Sequence, residues 1–265
     1  MPSAPDLIPT TRLDKVDSTN LLARRHIDAG QLTAAHFYIA KEQTGGIGRH
    51  ARQWHSPLGG LWCTLAWPVS ANASPAPAQI ASALGLRVGV VCLHVIADTL
   101  SRRMSRHMPQ LKWPNDVLIN RRKVCGSLCE ALAVEPTSPG KARTTWFLVG
   151  VGINVNNDVS ELPQDLRRPA IALCDVVEGP EPVDLDDLAR RLLAGLVHAM
   201  TTPGLDEHTL RAARERLYGT GSPISIVPQD GIPTRGVLVG LSDRGLPLLR
   251  TGEIEFEVPP GTELA

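Results

Sequence analysis

The sequence predicts an α+β protein in which helices pack on a central mixed, mostly antiparallel sheet, followed by a small C-terminal SH3-like β-barrel. Two observations support this fold class. Segments with strand character alternate with segments of helical periodicity over residues 1–217. The composition then changes, and residues 218–265 consist of short β-rich runs separated by turn residues, too few for a sandwich. We therefore expect a larger domain over 1–217 and a smaller one over 218–265.

The N-terminal elements are predicted to be a strand, a helix and two further strands. Residues 7–16 predict the first strand. The segment DSTNLLARRHIDAG begins with a good N-cap and ends at Gly30, which suits a C-cap, so it predicts a helix. Strands are expected at residues 37–41 and 61–68, on either side of a segment rich in glycine and arginine.

The middle of the chain is predicted to form one long helix and then a hairpin. Apolar residues recur at helical spacing from Gln79 to Leu100, which indicates a helix packed on the sheet. Residues 117–119 and 123–133 predict the two strands of the hairpin, with a tight turn at residues 120–122.

One more strand and two helices complete the predicted larger domain. Residues 145–154 are strongly apolar and predict a strand. Asp184 is expected to cap a helix that runs to Met200, and another helix is expected over residues 205–218.

Length and charge limit the classes of protein that fit. At 265 residues and 43% hydrophobic content, the chain can bury one substantial core and a small satellite domain. A formal net charge of zero argues against a general nucleic-acid or anionic-membrane surface, and the basic run Arg102 to Arg106 is expected to solvate a helix end. No apolar run reaches the roughly 18 residues of a membrane span, and residues 1–18 lack a signal-peptide pattern. We expect a cytoplasmic protein without a DNA or membrane partner.

The cysteines are expected to be reduced core residues. They are odd in number, lack CxxC spacing and lie mostly in apolar runs: Cys63, Cys92, Cys125, Cys129 and Cys174. Cys125 and Cys129 share the parity of one strand, so a metal or redox pair is the alternative to core packing.

The segment KWPNDVLINRRKVCGSLCE, residues 112–130, places basic and polar residues around a rigid corner. Pro114 restricts its own φ and pushes Trp113 toward an extended conformation. Lys123 would begin the returning strand of the hairpin, where a cation in a buried-looking strand needs an anionic ligand. The alternative is a solvated lysine beside a surface turn.

The segment KEQTGGIGRHARQWHSPLGG, residues 41–60, has the composition of an anion cradle. Glycines let main-chain N–H groups converge on oxyanions, arginines offer forked donors, and Trp54 offers a face for a planar ring. The segment contains neither a P-loop nor a GxGxxG between strand and helix, so the common nucleotide folds are disfavoured. The alternative is a mobile connection.

Four motifs in one order resemble the biotin protein ligase, or biotin–[acetyl-CoA-carboxylase] ligase, family. They are DSTN at Asp17, QTGGIGRHARQWHSPLGG at Gln43, KWPND with the following Lys123 and Gly126, and VGVGINVNN at Val149. The chain departs from the family at one point. The family usually reads GRGRRGR where this chain reads GIGRHAR, so Ile47 stands in place of an arginine and Ala51 in place of a glycine.

The resemblance implies two chemical steps with ATP and biotin as substrates and no tightly bound cofactor. The biotin carboxylate attacks the α-phosphate of ATP, and a lysine of a biotin carboxyl carrier protein then attacks the biotinyl-5′-adenylate. Lys123 and Arg49 are the expected catalytic residues, because two approaching anions must be neutralised. No DxD or EF-hand-like cluster occurs, so Mg²⁺ is expected to be held mainly by nucleotide and water, with Asp116 positioning it indirectly. No metal ligand is predicted, and no enzyme nucleophile is required.

The resemblance also implies which residues bind each substrate. The expected biotin-binding residues are Ser18, Thr19, Asn20, Gln43, Ile47, Gly48, Arg49 and Lys123. The expected ATP- or adenylate-binding residues are Arg49, Arg52, Trp54, Asn115, Asp116, Gly126 and Asn154. For Ser18 and Asn154, the alternatives are an ordinary helix N-cap and a turn asparagine.

Three rival functions remain open from the sequence. A lipoate or octanoate ligase shares the fold, but its pocket should be apolar where Ser18 and Gln43 stand. A non-catalytic biotin sensor is suggested by Ile47, although Lys123, Arg49 and Arg52 favour activity. A biotin-responsive repressor would need an N-terminal winged helix, for which DSTN at residue 17 leaves no room, so the monofunctional class is expected. The expected partner is the biotin carboxyl carrier protein of a biotin-dependent carboxylase, and a homodimer stays open by analogy.

Overall fold

Seven strands form the larger of two sheets. The structure is a computed structural model that describes residues 7–135, 142–163, 166, 168–227, 234–259 and 262–264. The strands are β1 Thr10–Val16, β2 His36–Gln43, β3 Leu61–Ser70, β4 Gln110–Lys112, β5 Asp116–Ile119, β6 Arg122–Val134 and β7 Thr144–Ile153. Their order is β1-β2-β3-β7-β6-β5-β4. Only β1 and β2 pair in parallel within this sheet, so the predicted mixed, mostly antiparallel sheet is confirmed.

Helices cover both faces of this sheet. The α-helices of the described chain are α1 Thr19–Asp28, α2 Pro77–Ala81, α3 Leu84–Arg102, α4 Leu185–Thr201 and α5 Glu207–Glu215. Side chains alternate between the faces of a strand. Phe147 and Val149 of β7 therefore join the main core with α3 and α4, whereas Leu148 joins a smaller cluster with α1.

Helix α1 forms as its end signals predict. Ser18 is the N-cap and its hydroxyl accepts from the N–H of Leu21 at 3.5 Å. The helix ends at Asp28, and Gly30 follows with φ of +66°, which a glycine adopts without steric cost. Ala23 and Ile27 are buried against the sheet. The helix start therefore places Ser18, Thr19 and Asn20 beside the end of β2.

The single long helix predicted over residues 79–100 is wrong, because the segment is broken. It forms α2 and α3, separated at Ser82 and Ala83, where Ala83 has φ of +50°. Apolar periodicity did not reveal the break, because Ile80 and Leu84 enter the same core from both sides of it. Among the described residues α3 alone is long and apolar enough to span a membrane, but 67% of its most apolar window is buried inside the protein, as in a core helix.

A second, smaller sheet follows the helices. Its strands are β8 Pro223–Val227, β9 Thr234–Leu241, β10 Pro247–Thr251, β11 Ile254–Glu257 and β12 Glu263–Leu264. All of its pairs are antiparallel, in the order β11-β10-β9-β8-β12. Residues 228–233, 260, 261 and 265 of the predicted smaller domain lie outside the described part, and its boundary at residue 218 and its barrel form stay predictions.

Hydrogen bonds and apolar packing join the smaller sheet to the rest of the protein, and its Leu238 and Leu249 belong to the main core. The indole Nε1 of Trp113 donates to the carbonyl of Gly245 at 2.9 Å. Arg214, in α5, donates through Nε to the carbonyl of Leu241 at 2.9 Å. Helix α5 is shorter than predicted, because Asp206 caps its start by accepting from the N–H of Thr209 and the chain after it pairs with Leu111.

The cysteines are free thiols, and one of them contradicts the core prediction. Cys63, Cys92 and Cys125 are buried and Cys129 is half-buried, but Cys174 is exposed. Cys174 lies in a short turn after β7. The preceding residues Ile171 to Leu173 are buried, but Cys174 itself is on the surface, so an apolar neighbourhood in sequence does not guarantee burial of each member. Burial raises the pKa of the Cys129 thiol to about 12, so the alternative of a reactive pair with Cys125 gains no support.

Candidate active site

One cavity of about 620 Å³ brings the predicted site residues together. It lies where the start of α1, the loop after β2 and the corner between β4 and β5 meet. All of the candidate residues line it: Ser18, Thr19, Asn20, Gln43, Ile47, Gly48, Arg49, Arg52, Trp54, Asn115, Asp116, Lys123, Gly126 and Asn154. These residues are far apart in sequence, but the strand order β3-β7-β6-β5 brings their strands side by side in one sheet.

An uncharged polar group of residues forms at the start of α1. The N–H and hydroxyl of Thr19 donate to Oε1 of Gln43 at 2.8 and 3.1 Å. Nε2 of Gln43 donates to Oγ of Ser56 at 2.8 Å. Ser18 is 3% exposed and reaches the cavity beside them. This region therefore offers short hydrogen-bonding groups without a charge.

Thr64, on β3, extends this group and was missed by sequence reasoning. Its hydroxyl lies 2.8 Å from Oγ1 of Thr19 and 2.5 Å from Oδ1 of Asn20. The opposite side of Asn20 rests on Gly150 of β7, where a Cβ would stand 2.3 Å from Oδ1 of Asn20. Glycine at 150 is thus a condition for the observed position of Asn20.

The glycine-arginine segment is a short hairpin. The N–H of Gly48 donates to the carbonyl of Arg52 at 2.7 Å, and the N–H of Trp54 donates to the carbonyl of Gly46 at 2.8 Å. Ala51 has φ of +54°, a region that favours glycine. Ile47 is 38% exposed and pairs through its backbone with Gln53. The hairpin therefore keeps its backbone pairing at the position where the family has an arginine.

Lys123 lies on β6 and faces a carboxylate across the hairpin. Its Nζ is 2.8 Å from Oδ1 of Asp116, and their side chains are 26% and 21% exposed. Gly126 lies opposite Asp116 in the register, and a Cβ at 126 would come within 3.0 Å of the Lys123 ammonium. The Nζ also lies 4.9 Å from the Trp54 ring centroid. The geometry is that of an enclosed cation, not of a solvated surface lysine.

Asn115, at the corner between β4 and β5, joins the glycine-arginine hairpin to β6. Its Nδ2 donates to the carbonyl of Ser127, and its Oδ1 accepts from a guanidinium nitrogen of Arg49 at 3.2 Å. Asn115 is 7% exposed. Arg49 is thereby held toward the same cavity as Lys123.

The Trp54 ring packs closely on Gly152 of β7. A Cβ at 152 would stand 2.4 Å from Nε1 of Trp54. That Nε1 is buried and has no hydrogen-bond partner among the described residues. Asn154, at the end of β7, lines the cavity, and its Oδ1 accepts from Nδ2 of Asn157 at 3.3 Å, so it also serves the turn that follows.

The cavity lining carries far more positive than negative charge. Its basic residues are Arg49, Arg52, Lys112, Lys123 and Arg168, and the carboxylate that the described chain contributes to the lining is that of Asp116. Such an excess attracts an anion with several charges. Arg168 and Thr262 were not predicted, because they reach the cavity from segments that carry no motif.

Neither a metal cluster nor an activated thiol is found at this site. The described residues include no group of three or more His, Cys, Asp or Glu side chains that could hold a metal ion. Cys63 lines the cavity, but burial raises the pKa of its thiol well above the usual value, which disfavours the thiolate.

Comparisons with known proteins show which sequences this chain is similar to. The sequence model of the Biotin/lipoate A/B protein ligase family matches residues 13–154. The chain is 33% identical over 136 residues to the bifunctional ligase/repressor BirA of Bacillus subtilis. The aligned region covers 51% of this chain and 37% of that protein. It is 28% identical over 261 residues to a biotin–[acetyl-CoA-carboxylase] ligase of Paracoccus denitrificans, covering 95% and 98%.

Solved structures share the fold. The biotin protein ligase from Aquifex aeolicus in complex with biotin and ATP aligns with a TM-score of 0.71 and 22% identity, covering 97% of this chain and 98% of that one. The biotin protein ligase from Leishmania major in complex with biotinyl-5-AMP aligns with a TM-score of 0.61 and 21% identity, covering 95% and 98%.

Proposed function

This chain belongs to the Biotin/lipoate A/B protein ligase family, and we propose that it is a biotin–[biotin carboxyl-carrier protein] ligase. The observation that carries the proposal is the composition of one cavity, in which an uncharged polar group adjoins a strongly cationic one. Biotin has a neutral polar ring and a carboxylate, and ATP is a polyanion. The cavity therefore matches both substrates of the first step.

The first step joins two anions, which must be neutralised and aligned. An oxygen of the biotin carboxylate bonds to the α-phosphorus of ATP, and the bond to pyrophosphate breaks to leave biotinyl-5′-AMP. Lys123 would stabilise the charge developing between carboxylate and phosphate, and Arg49, tethered by Asn115, would support it. The Lys123 ammonium lies 2.8 Å from Oδ1 of Asp116, which supports a fixed position for this cation at the cavity.

The hairpin and β7 supply the remaining contacts in this proposal. Arg52 serves the phosphate side, Trp54 lines the adenylate, and Asn154 and Gly126 border the nucleotide. Mg²⁺ would enter with ATP, with Asp116 as the nearby carboxylate. Ile47 and Gly48 present main-chain groups to biotin although the side chain at 47 differs from the family pattern.

The second step needs no nucleophile from this chain. The amine of a carrier-protein lysine attacks the carbonyl carbon of the mixed anhydride, an amide forms, and AMP leaves with the bonding electrons while the amine loses its proton. The cavity only shelters and presents the adenylate. The proposed partner is the biotin carboxyl carrier protein of a biotin-dependent carboxylase, and the proposed location is the cytoplasm.

The test is ATP-dependent attachment of biotin to a purified biotin carrier domain. Lys123→Ala should reduce adenylate formation by about 100-fold or more, as loss of a group that stabilises transition-state charge does. Lys41→Ala is the matched control, since Lys41 pairs with Asp14 on the surface and is 71% exposed; it should keep native activity.

Competitor substrates separate the rival functions. A native chain that attaches lipoate and not biotin would replace the proposal with a lipoate ligase. A native chain that binds biotin but releases no pyrophosphate would replace it with a biotin sensor. Equal activity of the Lys123→Ala and native chains would contradict the assigned role of Lys123.

A further inference from the structure

We infer that Glu130, which does not line the cavity, is a positioning residue. It decides how the uncharged region of the cavity, formed by Thr19, Asn20 and Gln43, presents its hydrogen-bond donors and acceptors to biotin. The inference rests on the proposed function. Glu130 lies on β6, and each of its carboxylate oxygens has one donor: a guanidinium nitrogen of Arg24 at 2.9 Å and Nδ2 of Asn20 at 3.2 Å. Its side chain is 33% exposed, so the pair is partly sheltered.

The carboxylate determines the orientation of the Asn20 amide. An ionised carboxylate only accepts hydrogen bonds, so Asn20 must direct its Nδ2 toward Glu130 and its Oδ1 to the other side. Oδ1 then lies 2.5 Å from the Thr64 hydroxyl. Gly150 leaves no space for a side chain beside the amide, and Asn20 is 7% exposed, so the amide is confined in that orientation.

The orientation passes on to Thr64 and Thr19. A hydroxyl has a single proton, and Asn20 Oδ1 takes the proton of Thr64. Oγ1 of Thr64 then has no proton left for Oγ1 of Thr19, 2.8 Å away, and can only accept from it. The Thr19 proton is directed to Thr64 or to Oε1 of Gln43, 3.1 Å away. In both cases it points into the protein, and Oγ1 of Thr19 keeps a lone pair for a ligand.

Gln43 completes the pattern with a donor. Its Oε1 accepts from the Thr19 N–H at 2.8 Å, and one proton of Nε2 goes to Ser56 at 2.8 Å. The second Nε2 proton remains for a ligand carbonyl. An acceptor beside a donor complements the N–H and C=O of a cyclic urea, whereas a dithiolane ring offers neither. Glu130 therefore contributes to selection of biotin over lipoate without touching it.

An exchange of amide and acid between two positions tests the inference. Glu130→Gln loses one of its two charge-assisted bonds, since a carboxamide oxygen cannot serve Asn20 and Arg24 as the carboxylate does. Asn20→Asp places two carboxylates side by side. In the double variant, the new amide at position 130 can donate to the new carboxylate at position 20 and accept from Arg24, while Thr64 still donates to that carboxylate. Each single variant should raise the KM and Kd for biotin about tenfold or more, and the double variant should recover most of the loss.

The readouts distinguish a positioning role from a structural one. The KM for ATP should stay within about twofold of the native value in every variant, because the cationic region is unchanged. Glu135→Gln is the control, since it breaks the surface pair of Glu135 and Arg143 near the end of the same strand and should leave biotin affinity unaltered. Binding of biotin by calorimetry and thermal unfolding are measured alongside pyrophosphate release.

Two results would overturn the inference in different ways. A native chain that neither binds biotin nor releases pyrophosphate would overturn the proposed function and this inference with it. An active native chain whose Glu130→Gln variant keeps its biotin Kd, or whose double variant is no better than the worse single one, would overturn the positioning role alone.

Discussion

Replacing Gly152 with alanine should displace Trp54 and weaken binding of ATP. The added Cβ would lie 2.4, 2.6 and 2.9 Å from three atoms of the Trp54 indole. Carbon atoms in ordinary van der Waals contact are at least about 3.5 Å apart, so the rigid Trp54 ring must move away by about 1 Å. Such overpacking costs about 1 to 3 kcal/mol of unfolding free energy. Loss of one aromatic contact to the nucleotide, about 1 kcal/mol, raises the KM for ATP about fivefold.

Pyrophosphate release at varied ATP and varied biotin measures this effect, with urea unfolding of the same variant. Gly85→Ala is the control: a Cβ at Gly85 meets nothing within 4 Å, so this variant should keep the native stability and the native KM for ATP. The KM for biotin should change less than the KM for ATP in Gly152→Ala. An unchanged KM for ATP would refute the placement of Trp54 against the nucleotide.

Two further predictions concern the hairpin and the start of α1. Ile47 removes one cation from the family's loop, so we expect the chain to hold the adenylate less tightly. Ile47→Arg adds a charged donor to a hairpin whose backbone pairing it leaves intact, so release of biotinyl-5′-AMP should slow by about tenfold; unchanged release would contradict that expectation. The Arg25 guanidinium lowers the pKa of Asp17 from 3.8 to about 2. Because the folded-state pKa lies below the unfolded value, the stabilisation is present above about pH 4 and lost as pH falls through about 2. The difference in Tm between native and Arg25→Ala proteins should therefore shrink over that range, and a constant difference would contradict the assignment.

The resemblance implied the candidate residues, and several of the motifs that carry it have a local physical basis. The helix cap at Ser18, the glycines of the hairpin and the Trp113–Pro114 corner are each constrained by their neighbours in sequence. Such short-range constraints appear as motifs, and four motifs in order also predicted the family, which is confirmed. The roles of the individual residues stay proposals.

Other features escaped prediction because they arise between distant segments. The break between α2 and α3 leaves the apolar periodicity intact, since Ile80 and Leu84 both face one core. Exposure of Cys174 depends on the path of the chain after β7. Arg168 reaches the cavity from a segment without a motif.

The sequence by itself determined the class of fold, because periodicity, caps and turn residues act over a few positions. Its four motifs carried the resemblance that implied the family and the candidate cavity residues. Tertiary structure alone decided which groups those residues touch. Glu130 contacts Asn20, which is 110 positions away in the sequence. Gly150 and Gly152 are needed because the side chains of Asn20 and Trp54 pack directly on them. Strand order and register create these contacts, and neither can be predicted from any single segment of the chain.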